Sequence, residues 1–100
     1  MAKKVTWAFI FRSDNANSEV DKAVMLHDGN RLLTYGCNTI EEGVAVAKRI
    51  VEEEDCLLIE LCGGFGKDGA QKVIEGIGGK VPVGYITYPE SEIPKLSILD

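Results

Sequence analysis

The second half of the chain alternates between helical and strand periodicity, and this order limits the folds available to it. Segment 56–62, CLLIELC, is apolar at both odd and even positions apart from Glu60, which is typical of a strand covered on both faces. Segment 80–88, KVPVGYITY, also has the composition of a strand, with Pro82 tolerated near its start. Apolar residues at helical spacing predict a helix over 39–54, and these are Ile40, Val44, Ala47 and Val51.

Both predicted helices carry start and stop signals. Thr39 with Glu42 has the spacing of a capping box at the start of the first helix. The second helix is predicted from about 68 to 77, with Asp68 as its N-cap and Gln71 in the box position. Gly78-Gly79 ends it.

The first half of the chain predicts three strands. Residues 4–12, KVTWAFIFR, are largely apolar on both parities, which indicates a central strand. Residues 23–36 have the pattern of a β-hairpin, in which Asp28-Gly29 or Gly29-Asn30 supplies the positive φ angles of a tight turn. The predicted fold is therefore a single two-layer α/β domain over residues 1–100. It has a five-stranded mixed sheet, in which an N-terminal strand plus a hairpin precedes a parallel β-α-β-α-β unit with two main helices.

Two helices are few for this sheet, which predicts self-association. They cover one face well or both faces thinly, whereas the first and fourth strands look buried on both sides. The tail PESEIPKLSILD is too apolar to be left in water, and it is expected to pack on this chain or on a neighbouring one. We therefore expect a homo-oligomer, most simply a dimer.

Composition and charge exclude several classes of partner. The net charge is −5, from 16 acidic against 11 basic residues, and the basic residues, Lys3-Lys4 among them, form no stripe that could follow a phosphate backbone. We expect no nucleic acid partner. The apolar N-terminal segment has the pattern of a strand and not of a signal peptide. No apolar run reaches the roughly 18 residues that span a bilayer, so we expect no membrane partner. Cys37, Cys56 and Cys62 lack C-x-x-C spacing, which argues against disulfides and a metal site and favours a cytoplasmic protein.

The loop ELCGGFGKDG at 60–69 is the main functional signal. Gly64, Gly66 and Gly69 fit the dinucleotide pattern G-x-G-x-x-G, and Glu90 follows the next strand. A full dinucleotide fold has two such halves, however, and only one strand remains after the motif. More broadly, a glycine-rich turn that opens a helix presents unpaired N–H groups and partial positive charge, which suit a small anion. The alternative is that the glycines supply only a tight path from strand to helix.

Glu60 and Cys62 are the candidate catalytic residues. A carboxylate inside an apolar strand must be paired, hydrogen-bonded or protonated, and Arg12, Tyr85 and Thr87 are candidate partners. Cys62 lies two residues further on the same side, about 7 Å away, beside a helix N-terminus that can lower a thiol pKa. Both residues also have an ordinary structural interpretation, in which the glutamate is a partner and the cysteine a small hydrophobe.

Three segments resemble a known family: LLIELCGGFG at 57–66, GGKVPVGYITY at 78–88, and the opening KKVTWAFIF. Together they resemble a family of small bacterial and archaeal proteins classed as a domain of unknown function. The likeness extends over nearly the whole chain. The resemblance implies a stand-alone domain of about this length. It supplies no activity, cofactor or catalytic residue that can be transferred to this sequence.

Three hypotheses follow for function. In the first, a small anionic ligand binds at the carboxyl ends of the parallel strands. Its predicted contacts are Gly63, Gly64, Phe65, Gly66, Lys67 and Asp68. Glu60, Cys62 and Tyr85 line the predicted pocket, and Arg12 joins them if the first strand runs beside the fourth in the right sense. In the second, the chain is a small enzyme that uses Glu60 as general acid or base and Cys62 as a thiolate. In the third, it is an interaction module without a ligand. The cofactor stays unknown in all three.

Overall fold

Five strands form one mixed sheet in the computed structural model, which describes residues 4–100. The strands are β1 (Thr6–Arg12), β2 (Lys22–His27), β3 (Asn30–Cys37), β4 (Ile59–Leu61) and β5 (Val83–Tyr85), and the α-helices are α1 (Ile40–Glu53) and α2 (Gly66–Gly76). The spatial order is β2-β3-β1-β4-β5. Only the β2–β3 pair is antiparallel. The predicted fold class is confirmed. Lys3 and the two residues before it lie outside the described part.

The hairpin turn is the first of the two predicted alternatives. Asp28 and Gly29 have φ angles of 50° and 84°, as the two central residues of a type I′ turn require. This turn pairs His27 with Asn30 and sets the register along the whole of β2 and β3. The right-handed strand twist matches this turn, which explains why the strands continue without a bulge.

Both helices pack on the same face of the sheet. The crossover from β3 to β4 through α1 and the crossover from β4 to β5 through α2 move in the same direction across the sheet. Right-handed crossovers in one direction place their helices on one side. The buried core lies between this helix layer and the sheet, and Ala8, Ile10, Leu33, Ile59 and Leu61 are the strand residues that line it.

The opposite side of the sheet, which we call the open face, is not covered by any helix within residues 4–100. Trp7, Phe9 and Phe11 alternate with the buried residues of β1 and are only half-buried. Glu60 alternates with Ile59 and Leu61 in β4 and is exposed. The prediction that the first and fourth strands are covered on both faces is therefore wrong for the described chain. A strand that is apolar at both odd and even positions does not show which face of the sheet the helices cover.

The first helix starts as predicted and the second does not. The Thr39 side chain accepts a hydrogen bond from the Glu42 N–H at 3.1 Å, as an N-cap does. Helix α2 begins at Gly66, Phe65 stands at its N-cap without a side-chain hydrogen bond, and Asp68 lies in its first turn. The predicted Asp68 cap is wrong because two successive turns wind the chain into the helix earlier. They are the hydrogen bonds from Phe65 N–H to the Cys62 carbonyl and from Gly66 N–H to the Gly63 carbonyl.

The segment after β5 is a 3₁₀ helix, Glu90–Leu99, and none of its residues is buried. It makes no extended contact with any strand or α-helix of the described chain. Ile98 and Leu99 are 85% and 81% exposed, whereas Leu96 is half-buried. Within residues 4–100, no helix has both the length and the apolar character needed to cross a membrane.

Glu42 links the start of α1 to the loop that precedes β2. Its carboxylate accepts hydrogen bonds from the Asn38 N–H at 2.8 Å and from the Ser18 N–H at 2.9 Å. These backbone donors, Ser18 foremost, hold the pKa of Glu42 below its usual range. The predicted capping box is thus half formed, because the Glu42 carboxylate accepts mainly from the Ser18 and Asn38 N–H groups and not from that of Thr39.

We expect Glu42→Gln to destabilise the fold by about 1 kcal/mol at neutral pH, because it removes a charge-assisted acceptor from two N–H groups. The lowered pKa means that the folded state favours the ionised form. The contribution is therefore full above the ordinary glutamate pKa of about 4.3 and is lost as pH falls through the lower folded value. Urea unfolding of both proteins from neutral to acidic pH measures this difference. Glu41→Gln is the matched control, since Glu41 is exposed in the same helical turn. A Glu42→Gln deficit that does not shrink at acidic pH would contradict the assignment.

Candidate functional site

The carboxyl ends of β1 and β4 form a topological switch point. After β1 the chain leaves toward β2 and β3, whereas after β4 it leaves through α2 toward β5. Neighbouring parallel strands whose connections diverge in this way leave a crevice between them, and open α/β sheets bind ligands there. Arg12 ends β1 and Cys62 follows β4, so these two predicted site residues lie at the two sides of the crevice.

The β1–β4 ladder ends in an unusual way at this point. The Cys62 N–H donates to the Ile10 carbonyl at 3.0 Å, as a parallel ladder requires. The Arg12 N–H then donates to the Cys62 Sγ at 3.2 Å. The carbonyl of Cys62 is engaged elsewhere, since it accepts from the Phe65 N–H at 3.1 Å. The thiol therefore takes the place of a backbone acceptor, and the two strands separate beyond it.

The backbone geometry requires glycine to a different degree at each loop position. Gly66 has a φ of +63°, a conformation that a side chain would strain. Gly63 and Gly64 do not have positive φ angles. A Cβ on Gly63 would meet only the Ile86 carbonyl oxygen, at 3.5 Å, whereas one on Gly64 would lie 3.3 Å from the Cys62 Sγ and 3.8 Å from the Arg12 Cβ. The fold thus requires glycine at Gly66, leaves little room at Gly64, and does not require it at Gly63.

The loop presents unpaired hydrogen-bond donors. Within residues 4–100, the N–H groups of Gly64, Lys67 and Asp68 donate to no protein acceptor. They belong to the turn and to the first turn of α2, where the helix dipole contributes partial positive charge. Lys67 is exposed and adds a positive charge, and the exposed Asp68 partly offsets it.

Arg12 is held close to this loop. Its guanidinium is exposed and pairs with Asp14 at 2.9 Å. An exposed pair of this kind contributes little to stability, so the guanidinium can exchange Asp14 for another anion at low cost. The sequence predicts Arg12 in the site if β1 runs beside β4 in the right sense, and β1 is parallel to β4.

Phe65 and Tyr85 lie differently from the other predicted ligand contacts. The Phe65 side chain is 3% exposed and belongs to the core, so only its backbone faces the loop. Tyr85 is in register with Leu61, which points its side chain toward the helix side of the sheet. It lies at the end of β5, one strand beyond Cys62.

Glu60 lies apart from the loop, on the open face. Its neighbours in register are Phe9 on β1 and Gly84 on β5. The expectation of a buried, partnered carboxylate is wrong. Glu60 is exposed, Arg12 pairs with Asp14 instead, and Tyr85 points to the other side of the sheet. An exposed carboxylate needs no partner, because water solvates it.

A family of unknown function, DUF6506, matches residues 5–100. The chain belongs to this family. The predicted relationship to a family of unknown function is therefore confirmed. No curated protein matches the chain.

The three cysteines of this DUF6506 chain are all free thiols. Desolvation by burial, with a smaller effect of Glu42, raises the pKa of Cys37 to about 11. Burial also raises the pKa of Cys56, whose thiol donates to the Leu58 carbonyl at 3.3 Å. These two thiols stay protonated at neutral pH and are poor nucleophiles. Cys62 is the half-buried member of the set, and it lies at the crevice.

Two cavities lie away from the crevice, and sequence reasoning singled out none of their lining residues as a site. One, of about 220 Å³, lies where α1 and α2 end and includes Lys48, Glu52 and Lys80. The other, of about 380 Å³, lies between β2 and the end of α1 and includes the paired Arg31 and Glu54. In the described part of this DUF6506 member, no three His, Cys, Asp or Glu side chains are grouped so that they could hold a metal ion.

Proposed function

We propose that this protein binds a small anion, with a carboxylate or phosphate group, in the crevice between the carboxyl ends of β1 and β4. The observation that carries the proposal is the set of unpaired N–H groups of Gly64, Lys67 and Asp68 at a topological switch point. Each of these donors lacks an acceptor in the described part of the chain and can donate to an anion.

Two basic side chains support the same assignment. Arg12 lies beside Gly64, and its guanidinium pairs with the exposed carboxylate of Asp14, two residues further along the chain. Lys67 extends from the first turn of α2, at the positive end of the helix dipole. An anion in the crevice gains a guanidinium, an ammonium and backbone donors, which is the combination that recognises carboxylates and phosphates.

The glycines fit this role as well. Gly63 is exposed and its backbone does not require glycine, so its lack of a side chain leaves the crevice open. A glycine at such a place allows a ligand to approach the backbone closely. Cys62 then has a positioning role, because its Sγ holds the Arg12 N–H.

The test is a thermal-shift and calorimetric titration with inorganic phosphate, acetate, citrate and sugar phosphates. A ligand present at a hundred times its Kd should stabilise the fold by about 2.7 kcal/mol. We expect Arg12→Gln to weaken binding about tenfold and Lys67→Gln to weaken it several-fold, because each removes a charged donor.

Lys72→Gln is the matched control. Lys72 is exposed on the same helix, beyond its first turn, and its loss changes the net charge equally. If Lys67→Gln and Lys72→Gln weaken binding to the same extent, Lys67 acts through the net charge of the protein and not through contact with the anion. Absence of any stabilisation across the ligand set, with all variants folded, would refute the proposal.

A further inference from the structure

The open face has the composition of a covered surface. Trp7, Phe9 and Phe11 run along the central strand, and their register neighbours on β3 include Leu32. On the edge strand, Met25 is in register with Leu32 and is 66% exposed. A sheet face that meets water normally carries polar residues at alternate positions, and the residues of β1 on this side are all apolar.

Its polar positions lie on either side of β1. Glu60 is on β4, Thr34 and Asn30 are on β3, and His27 ends β2. The aromatic residues occupy β1, at the middle of the sheet. An apolar centre with polar groups at the margin is the usual anatomy of a protein interface.

We propose that a second copy of this chain covers the open face, so that two sheets pack face to face with their helices outside. The proposal is independent of the anion site. A relatively flat apolar surface can meet an identical one across a twofold axis, and sheets that pack in this way lie about 10 Å apart.

The open face supplies about half of the area that a stable dimer interface needs. The five strands contain 7, 6, 8, 3 and 3 residues. At about 3.3 Å per residue and 4.8 Å per strand, the face measures roughly 430 Å². A stable interface buries about 800 Å² on each partner, so further apolar surface is needed beside the face.

The C-terminal 3₁₀ segment supplies the remaining apolar surface. It follows β5 at the edge of the sheet, none of its residues is buried, and it makes no extended contact with the strands and helices of the described chain. Ile93, Ile98 and Leu99 are its most exposed apolar residues. Each copy thus carries an uncovered face and an uncovered apolar segment, and the dimer covers both.

Trp7 makes the open face directly observable, because it is the only tryptophan of the chain. The experiment is a dilution series of the full chain in which molecular mass, by analytical ultracentrifugation, and Trp7 emission are measured together. We expect a dimer that dissociates on dilution, with Trp7 emission moving to longer wavelength at the same midpoint. Phe9→Glu should remain a monomer with a native circular dichroism spectrum.

A matched pair of variants on β2 separates the two faces without disturbing the core. Met25 lies on the open face, and Val24, 57% exposed, is in register with the buried Leu33 on the helix side. We expect Met25→Glu to raise the dissociation midpoint about tenfold or more, and Val24→Glu to leave it nearly unchanged.

Three results would overturn the proposal. One is a monomeric mass at all concentrations with Trp7 emission at long wavelength. Another is a monomer with Trp7 emission at short wavelength that only Ile98→Glu alters, because the chain's own C-terminal segment would then cover the face. The third is a dimer whose mass is insensitive to both Phe9→Glu and Met25→Glu, since that dimer would use another surface.

Discussion

Replacing Ile10 by alanine should destabilise the fold by about 3 kcal/mol, since large aliphatic residues truncated in a core cost about 2 to 5 kcal/mol. Ile10 is 0% exposed on the central strand, between the sheet and the helix layer. Its neighbours are held by two helices and two adjoining strands, so they cannot collapse into the space that the mutation leaves.

Thermal and urea unfolding measure this loss. For a domain of this size the melting temperature should fall by roughly 12 to 24 °C. Val20→Ala is the control, because Val20 is 70% exposed in the loop before β2 and its truncation should change stability by less than about 0.5 kcal/mol. A loss below about 1 kcal/mol for Ile10→Ala would contradict the assigned core.

Phe65→Ala should cost about 3 to 5 kcal/mol, although the sequence predicts Phe65 as a ligand contact. The ring packs directly against α1, because a Cβ on Gly43 would lie only 2.6 Å from its Cζ atom. Phe65 is also the residue from which α2 starts, and Gly69 packs beside its Cβ. The side chain therefore joins the two helices and lies away from the crevice.

A double-mutant cycle with Gly43→Ala tests this contact. In the native background the added methyl group collides with the ring, at a cost of about 1 to 3 kcal/mol that the higher helix propensity of alanine partly offsets. In the Phe65→Ala background the methyl group enters the vacated space, so the same change should be neutral or stabilising by up to about 1 kcal/mol. The cycle should give a coupling of about 2 kcal/mol, and a Gly43→Ala effect that is equal in both backgrounds would contradict the contact.

Local patterns in the sequence predict the elements well where the physics is local. The helical spacing from Ile40 to Val51 gives α1, Thr39 gives its cap, and Asp28-Gly29 gives the hairpin turn. Each of these depends on residues within a few positions of one another. The sequence predicts the start of α2 at Asp68, whereas the helix begins at Gly66, because two turns before it bring the chain into the helix earlier.

The candidate site was partly predictable for the same reason. The loop that follows β4 and opens α2 is visible in the glycines, and so is its position at the carboxyl end of a strand. The proximity of Arg12 to Gly64 depends on a strand order in which β1 lies between β3 and β4. The exposure of Glu60 depends on which face the helices occupy.

The sequence alone therefore determined the α/β class, the number of strands, the hairpin turn and the glycine loop, since periodicity and turn chemistry act over short distances. Only the tertiary structure decided that both helices share one face, that Phe65 belongs to the core, and that Glu60 and the aromatic residues of β1 lie on the uncovered side. An apolar strand residue gives the same sequence pattern whether a helix of its own chain or another protein surface packs against it. The side on which that cover lies follows from the direction of the crossovers, which is a property of the whole sheet.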